Sequence, residues 1–181
     1  MITLLMLLVL LWQFYLGYAR GFFLQLIYTI GHILAIFIAG LNYQRLADVL
    51  TLWVPYANAD EGASVYFFTD VPLFDLGQVF YSGIAFILCY TVVYLFVRFL
   101  GVIFHAVKWQ PLDSRFGKIL AGTLSLLVSA SVLTMLLSLL ATVPYASLQN
   151  HLNSGLAKML IDYNPITSQL IHYYWVTNGL G

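Results

Sequence analysis

The sequence predicts an all-α integral membrane protein with about four transmembrane helices and a C-terminal amphipathic helix. The first observation behind this prediction is composition. Hydrophobic residues make up 62% of the 181 residues and charged residues only 8%, whereas ordinary soluble domains contain about 25% charged residues. The second observation is that the apolar residues form long uncharged runs. So few charges cannot cover a water-exposed surface, and we therefore expect the chain to be surrounded by lipid.

The first two helices, predicted at residues 2–16 and 22–43, form a hairpin. Arg20 stands alone between two runs of membrane length that contain no acidic or basic side chain apart from one histidine. The glycines on either side of it, Gly17 and Gly21, favour a turn. The start of the chain lacks the basic residues of a cleavable signal peptide. We therefore expect it to be retained as a membrane helix.

The second helix carries two sequence patterns on neighbouring faces. Small side chains recur every fourth position and predict close packing against another helix: Gly31, Ala35 and Ala39. Polar side chains at spacings of four and three form a candidate intramembrane polar site: Gln25, Thr29 and His32. An ionisable group within a spanning helix suggests a proton relay or a ligand contact. The simpler alternative is a neutral histidine that hydrogen-bonds a neighbouring helix.

A loop with turn-forming and acidic residues is predicted between about residues 45 and 75, and two further transmembrane helices follow it. These helices are predicted at about residues 76–97 and 119–143, and Pro144 ends the second of them. That fourth helix has two ridges of small residues, which predict neighbours on more than one side: Ala121, Ser125 and Ser129 on one, and Ala130, Thr134, Ser138 and Thr142 on the other.

The C-terminal part is predicted to contain an amphipathic helix at about residues 146–161. Leucines at positions 148, 152 and 156 share one helical face, whereas Gln149 and other polar residues lie largely elsewhere. A helix of this length cannot span a bilayer, so we expect it to lie on the membrane or to cap the bundle. The first 160 residues then form the membrane domain, and residues 161–181 form a short tail.

Basic residues predict the orientation of the chain. They concentrate in the first turn and around the third loop: Arg20, Arg98, Lys108, Arg115 and Lys118. Because basic loops face the cytoplasm, both termini are expected on the extracytoplasmic side. The same side chains have a second interpretation as contacts to lipid phosphates.

Several short motifs resemble the CvpA family, the colicin V production protein and its bacterial relatives. The resemblance covers about residues 1–160 and rests on Gly17, Arg20-Gly21-Phe22, Gly31, Ala39, Arg98, Phe116-Gly117-Lys118 through Gly122, Val143-Pro144 and Leu152-Asn153-Ser154-Gly155-Leu156. It implies a four-helix protein of the bacterial cytoplasmic (inner) membrane that is linked to toxin production or export and to cell-envelope homeostasis. The family has no established catalytic residues, so the resemblance supplies none.

The sequence favours a non-enzymatic accessory or scaffold protein and leaves a small transporter or channel subunit as the alternative. His151 and Ser154 lie close in sequence, but no acidic residue at a defined spacing completes a catalytic group. No cofactor is expected, and a net charge of zero gives no reason to expect nucleic-acid binding. The expected partners are the lipid bilayer and other membrane proteins or further copies of this chain.

Overall fold

The computed structural model describes residues 2–56, 65–105 and 114–180, and these residues form helices and turns without strands. Each of the four long helices contains a stretch long and apolar enough to cross a membrane: α1 (Ile2–Arg20), α2 (Phe22–Trp53), α3 (Leu76–His105) and α4 (Arg115–Ala141). Four short helical segments follow: α5 (Ala146–Leu152), α6 (Gly155–Tyr163), α7 (Thr167–Ile171) and a π-helical segment (His172–Thr177). The predicted fold class is confirmed.

The first helix is longer than predicted because Gly17 does not end it. Gly17 is buried against α4, and a side chain there would overlap Ala121 and Ser125. This glycine therefore serves helix packing, and α1 continues to Arg20, which makes it about 28 Å long. The break comes at Gly21, whose φ of 83° lies in the left-handed region that favours glycine.

The second helix also extends beyond its predicted end at residue 43, so the predicted loop is wrong over residues 45–53. Arg45 and Asp48 are exposed while Ala47 between them is buried. These charges therefore lie on the outer face of a continuing helix, and polarity alone was a misleading signal for its end. Two other ends move as well, because α3 continues past its predicted end at residue 97 and α4 begins four positions early at Arg115.

The four long helices pack as two pairs, with α2 along α3 and α1 along α4. The small-residue face of α2 lies in the first pair: Ala35 and Ala39 are fully buried, and a side chain at Gly31 would overlap Val97 of α3. In the second pair, the ring of Phe14 occupies the space beside Gly122 of α4. The small-residue packing predicted for α2 is confirmed.

The predicted amphipathic helix is two helices, because the chain turns between Leu152 and Gly155, which has a φ of 61°. Gln149 is buried rather than solvated. Its Nε2 donates hydrogen bonds to the backbone oxygens of Ala141 and Val143, each at 2.9 Å, and its Oε1 accepts one from the backbone N–H of Tyr66 at 3.1 Å. Gln149 therefore caps the end of α4.

The tail packs into the bundle. Trp175 of the π-helical segment is fully buried, and its ring lies 6.2 Å from that of Phe86. The hydroxyl of Tyr43 on α2 donates a hydrogen bond to the backbone oxygen of Tyr174. This end of the chain thus covers the end of α2 and α3 that lies away from Arg20.

Candidate functional site

A cavity of about 200 Å³ lies where the α1–α4 pair meets the α2–α3 pair. All four long helices contribute to its wall, and we call it the arginine cavity. Its apolar wall includes Val9 and Val128. Its polar lining consists of Gln13, Arg20, Gln25, Tyr94, Arg98, Ser125 and Ser129. The structure thus brings Gln25, predicted as part of the intramembrane polar site, next to Arg20 and Arg98, which were predicted to set the topology or contact lipid.

The two arginines converge on aromatic rings. Arg20 is the last residue of α1, and its guanidinium carbon lies 5.4 Å from the centre of the Tyr28 ring. The guanidinium carbon of Arg98, on α3, lies 5.1 Å from the same ring and 5.8 Å from that of Tyr94. Cations at this distance are attracted by the ring quadrupole. The two positive charges therefore lie beside one ring, and like charges at such a separation repel each other.

Neither arginine pairs with a carboxylate of the described residues. The four acidic side chains within those ranges lie towards the other end of the bundle, near the end of α2, before α3 and in α6: Asp48, Asp70, Asp75 and Asp162. Asp113 lies outside the described residues. The cavity is therefore lined by two positive charges whose nearest described companions are neutral polar groups and aromatic rings.

Gln25, in the wall of the arginine cavity, has a buried acceptor without a partner. Its side chain is 1% exposed, and its Oε1 has no hydrogen-bond partner. Buried polar atoms are nearly always hydrogen-bonded, because leaving one unpaired costs about 1–3 kcal/mol. The cavity therefore offers positive charge, and a buried acceptor without a partner lies in its wall.

The other two residues of the predicted polar site, Thr29 and His32, do not line the arginine cavity. Thr29 and His32 line a second cavity of about 490 Å³, which we call the apolar cavity. Its walls come mainly from aliphatic residues of α2, α4 and α7, including Ile33, Leu127 and Leu170. Thr29 Oγ1 donates a hydrogen bond to the backbone oxygen of its own helix one turn earlier, at 2.9 Å.

His32 has a partner on the neighbouring helix. Its Nδ1 and the hydroxyl of Tyr90 on α3 share a hydrogen bond at 2.8 Å, and its ring also meets the edge of Tyr94, with 6.2 Å between ring centres. The candidate polar site of the sequence therefore divides between the two cavities. Gln25 alone joins the arginines.

The remaining predicted residues lie apart from the cavity. Arg115, exposed at the start of α4, and Lys118 in its first turn do not line it, and Lys108 lies outside the described residues. Ser154 Oγ donates to the backbone oxygen of His151 at 3.2 Å, while the His151 ring bonds the backbone oxygen of Ser147. The two side chains thus do not form a nucleophile–base pair.

Sequence reasoning missed Gln13, Tyr28 and Tyr94 as parts of this region. Gln13 is the lone amide in an otherwise apolar stretch of α1, a signal that was available. The two tyrosines carried no such signal, because aromatic residues are common along all these helices. Their role depends on the approach of α1 and α3 to the start of α2, which a single sequence does not reveal.

Comparison with known proteins gives a consistent family. The sequence model described as "Colicin V production protein" matches residues 2–165. The chain is also 29% identical over 181 residues to "Uncharacterized transmembrane protein YshB" of Bacillus subtilis (strain 168), and the match covers 99% of each chain. No solved structure matches. With the match spanning most of its length, this multi-pass membrane chain belongs to the colicin V production protein family.

Proposed function

We propose that this chain is a non-enzymatic accessory or scaffold protein of the membrane, acting in toxin production or export and in cell-envelope homeostasis. The family name points to the process. The observation that carries the scaffold role is the close packing of α2 on α3 at Gly31, Ala35 and Ala39. Helix α2 runs unbroken through this contact, unlike the interrupted helices at the centre of many transporters. A rigid core of this kind suits a protein that holds partners.

A crosslinking experiment tests this role. Leu8 of α1 is 56% exposed and Met6 only 7%, so a photoreactive residue at position 8 samples the surroundings, and one at position 6 serves as the buried control. We expect irradiation of membranes to join position 8 to another membrane protein or to a second copy of the chain. Crosslinks to lipid alone, from position 8 and from further exposed positions on each long helix, would contradict the scaffold role.

The proposed location is the bacterial cytoplasmic membrane with both termini outside. The supporting observation is that Arg20, Arg98 and Arg115 all lie towards one end of the bundle. Cysteine labelling tests it in a chain whose natural Cys89 is replaced by serine. The two labelling variants are Arg115→Cys, at the first residue of α4, and Tyr145→Cys, beyond its other end. An impermeant reagent added outside intact cells should label position 145 only; labelling of position 115 alone would reverse the topology.

A small transporter or channel subunit is the second candidate, and the arginine cavity favours it. A polar cavity between spanning helices, lined by Gln25 and two arginines, has the charge of an anion-binding site. Uptake of radiolabelled phosphate into proteoliposomes distinguishes the candidates. Uptake that depends on this chain and is lost in Gln25→Leu supports transport. Uptake equal to that of empty liposomes supports the scaffold.

A further inference from the structure

We propose that the arginine cavity and the apolar cavity together bind one anionic phospholipid, with its phosphate at Arg20 and Arg98 and an acyl chain in the apolar cavity. This goes beyond a scaffold role, because it gives the bundle a specific small-molecule ligand. The inference rests on three features of the described residues: positive charge without a carboxylate partner, a buried acceptor without a donor, and two cavities that lie next to each other.

The charge favours a phosphate. Arg20 and Arg98 come from different helices, meet at the Tyr28 ring and have no carboxylate partner among the described residues. Charged side chains at the edge of a membrane are costly unless they find a counter-charge or water. Guanidinium groups match the oxygens of a phosphate and bind them with charge-assisted hydrogen bonds. A phosphate between the two arginines would also offset the repulsion between two positive charges that lie beside one ring.

The orphaned acceptor favours a headgroup that carries a hydrogen-bond donor. Gln25 lines the same cavity, and its Oε1 is buried beside it without a hydrogen-bond partner. A deprotonated phosphodiester has no O–H and cannot donate to it, whereas a hydroxyl of the headgroup alcohol can. Phosphatidylglycerol combines a net negative charge with headgroup hydroxyls, so it matches both requirements. Phosphatidylmethanol, a phosphodiester with the same charge and no hydroxyl, matches the charge alone.

The arrangement of the cavities favours a lipid over free phosphate. Val128 of α4 lines both cavities, and Gln25 of the first lies one helical turn from Thr29 of the second. The apolar cavity has a volume of about 490 Å³, within the range of about 300–1,000 Å³ that is typical of ligand sites. A molecule with an anionic head and an apolar tail would fill both.

The first test is native mass spectrometry of the full chain released from detergent micelles, with phosphatidylglycerol or phosphatidylcholine of identical acyl chains. We expect phosphatidylglycerol to bind more tightly, and Arg20→Gln/Arg98→Gln to lower that affinity about tenfold or more, because the double variant removes the charge-assisted hydrogen bonds to the phosphate. The matched control Arg45→Gln/Arg115→Gln removes two exposed positive charges and should bind like the wild type. Equal loss in both double variants, or no preference for phosphatidylglycerol, would overturn the proposal.

Two single variants test the head and the tail separately and remain informative if the double variant fails to fold. Gln25→Leu should weaken the binding of phosphatidylglycerol severalfold and leave the binding of phosphatidylmethanol, which has no headgroup hydroxyl, unchanged. Ala130→Phe, at a position that lines the apolar cavity, should weaken diacyl phosphatidylglycerol but not glycerol phosphate. No effect of either variant on diacyl lipid would overturn the two-cavity site. Full competition by inorganic phosphate alone would assign the arginines to a free anion instead.

Discussion

Two sets of residues on α2 lie on neighbouring faces and meet opposite surroundings. Gly31, Ala35 and Ala39 have almost no side chain and are sealed against other helices. Gln25 and Thr29 have polar side chains and line cavities. The small residues of α2 therefore allow close packing against other helices. On the neighbouring face, its polar residues border cavities.

The two sets of residues on α2 have different roles: the small residues stabilise the fold, and the polar residues are candidates for binding a ligand. In a membrane, helices are held together mainly by close van der Waals packing, which small residues permit. An unsatisfied buried amide does the opposite, because it costs stability. A group that lowers stability within an otherwise well-packed bundle is better explained by a ligand than by packing. Substitutions in the two sets should therefore change stability in opposite directions.

The largest effect is expected from Gly31→Leu. The new side chain would overlap Val97, and overpacking of a filled contact costs on the order of 1–3 kcal/mol or more. Thermal unfolding in detergent should show a strongly lowered midpoint. The control Ala19→Leu adds volume at an exposed position and should change little. Val97→Ala added to Gly31→Leu should restore part of the loss, and a midpoint for Gly31→Leu equal to the wild type would contradict the packing interpretation.

His32→Leu is expected to have an intermediate effect. It removes the hydrogen bond to Tyr90 and leaves a buried hydroxyl unpaired, which costs about 1–3 kcal/mol. Tyr90→Phe removes the same bond, so a double-mutant cycle on unfolding free energies should show coupling between the two positions. Additive effects would show that the bond contributes nothing. Full biological activity of a folded His32→Leu chain would exclude a proton relay.

Gln25→Leu should change stability in the opposite direction from Gly31→Leu. Without lipid, replacing an unpaired buried amide by a side chain of similar size is expected to be neutral or stabilising by about 1 kcal/mol. The unfolding midpoint of lipid-free protein measures this. A clear loss of stability would mean that Gln25 is a structural residue and would remove the contrast between the two sets.

The smallest effect is expected outside the bundle, at the exposed pair of Asp70 and His172. His172 Nε2 lies 2.8 Å from Asp70 Oδ2, and this hydrogen bond lowers the pKa of the Asp70 carboxyl. A lowered folded-state pKa stabilises the fold above the unfolded value of about 3.9, and this stability is lost as the pH falls through the folded-state pKa. Asp70→Asn should cost about 0.5 kcal/mol or less at neutral pH, because exposed pairs are weak.

The pH dependence provides the check on that pair. Unfolding of the wild type and of Asp70→Asn should differ at pH 7 and converge in strong acid, where the carboxyl is protonated in both the folded and the unfolded chain. A difference that persists unchanged in acid would assign the effect to packing rather than to the charge.

Hydropathy was sufficient to predict four spanning helices, because lipid permits few alternatives to a long apolar helix. Helix ends were less predictable. Gly17 looked like a turn residue and is a packing contact, whereas Arg45 looked like a loop residue and continues α2. The arginine cavity could not be predicted from the sequence, because Arg20 and Arg98 lie on helices that are far apart in the chain. Tertiary packing alone brings them to one tyrosine.

The most direct test of the lipid site is the shift in unfolding temperature that phosphatidylglycerol causes in purified protein. A ligand that binds only the folded state raises this temperature. The rise should appear in the wild type and in Arg45→Gln/Arg115→Gln and should be absent in Arg20→Gln/Arg98→Gln. An equal rise in all three proteins would show that the lipid acts through general charge or solvation, and it would contradict a site at the arginine cavity.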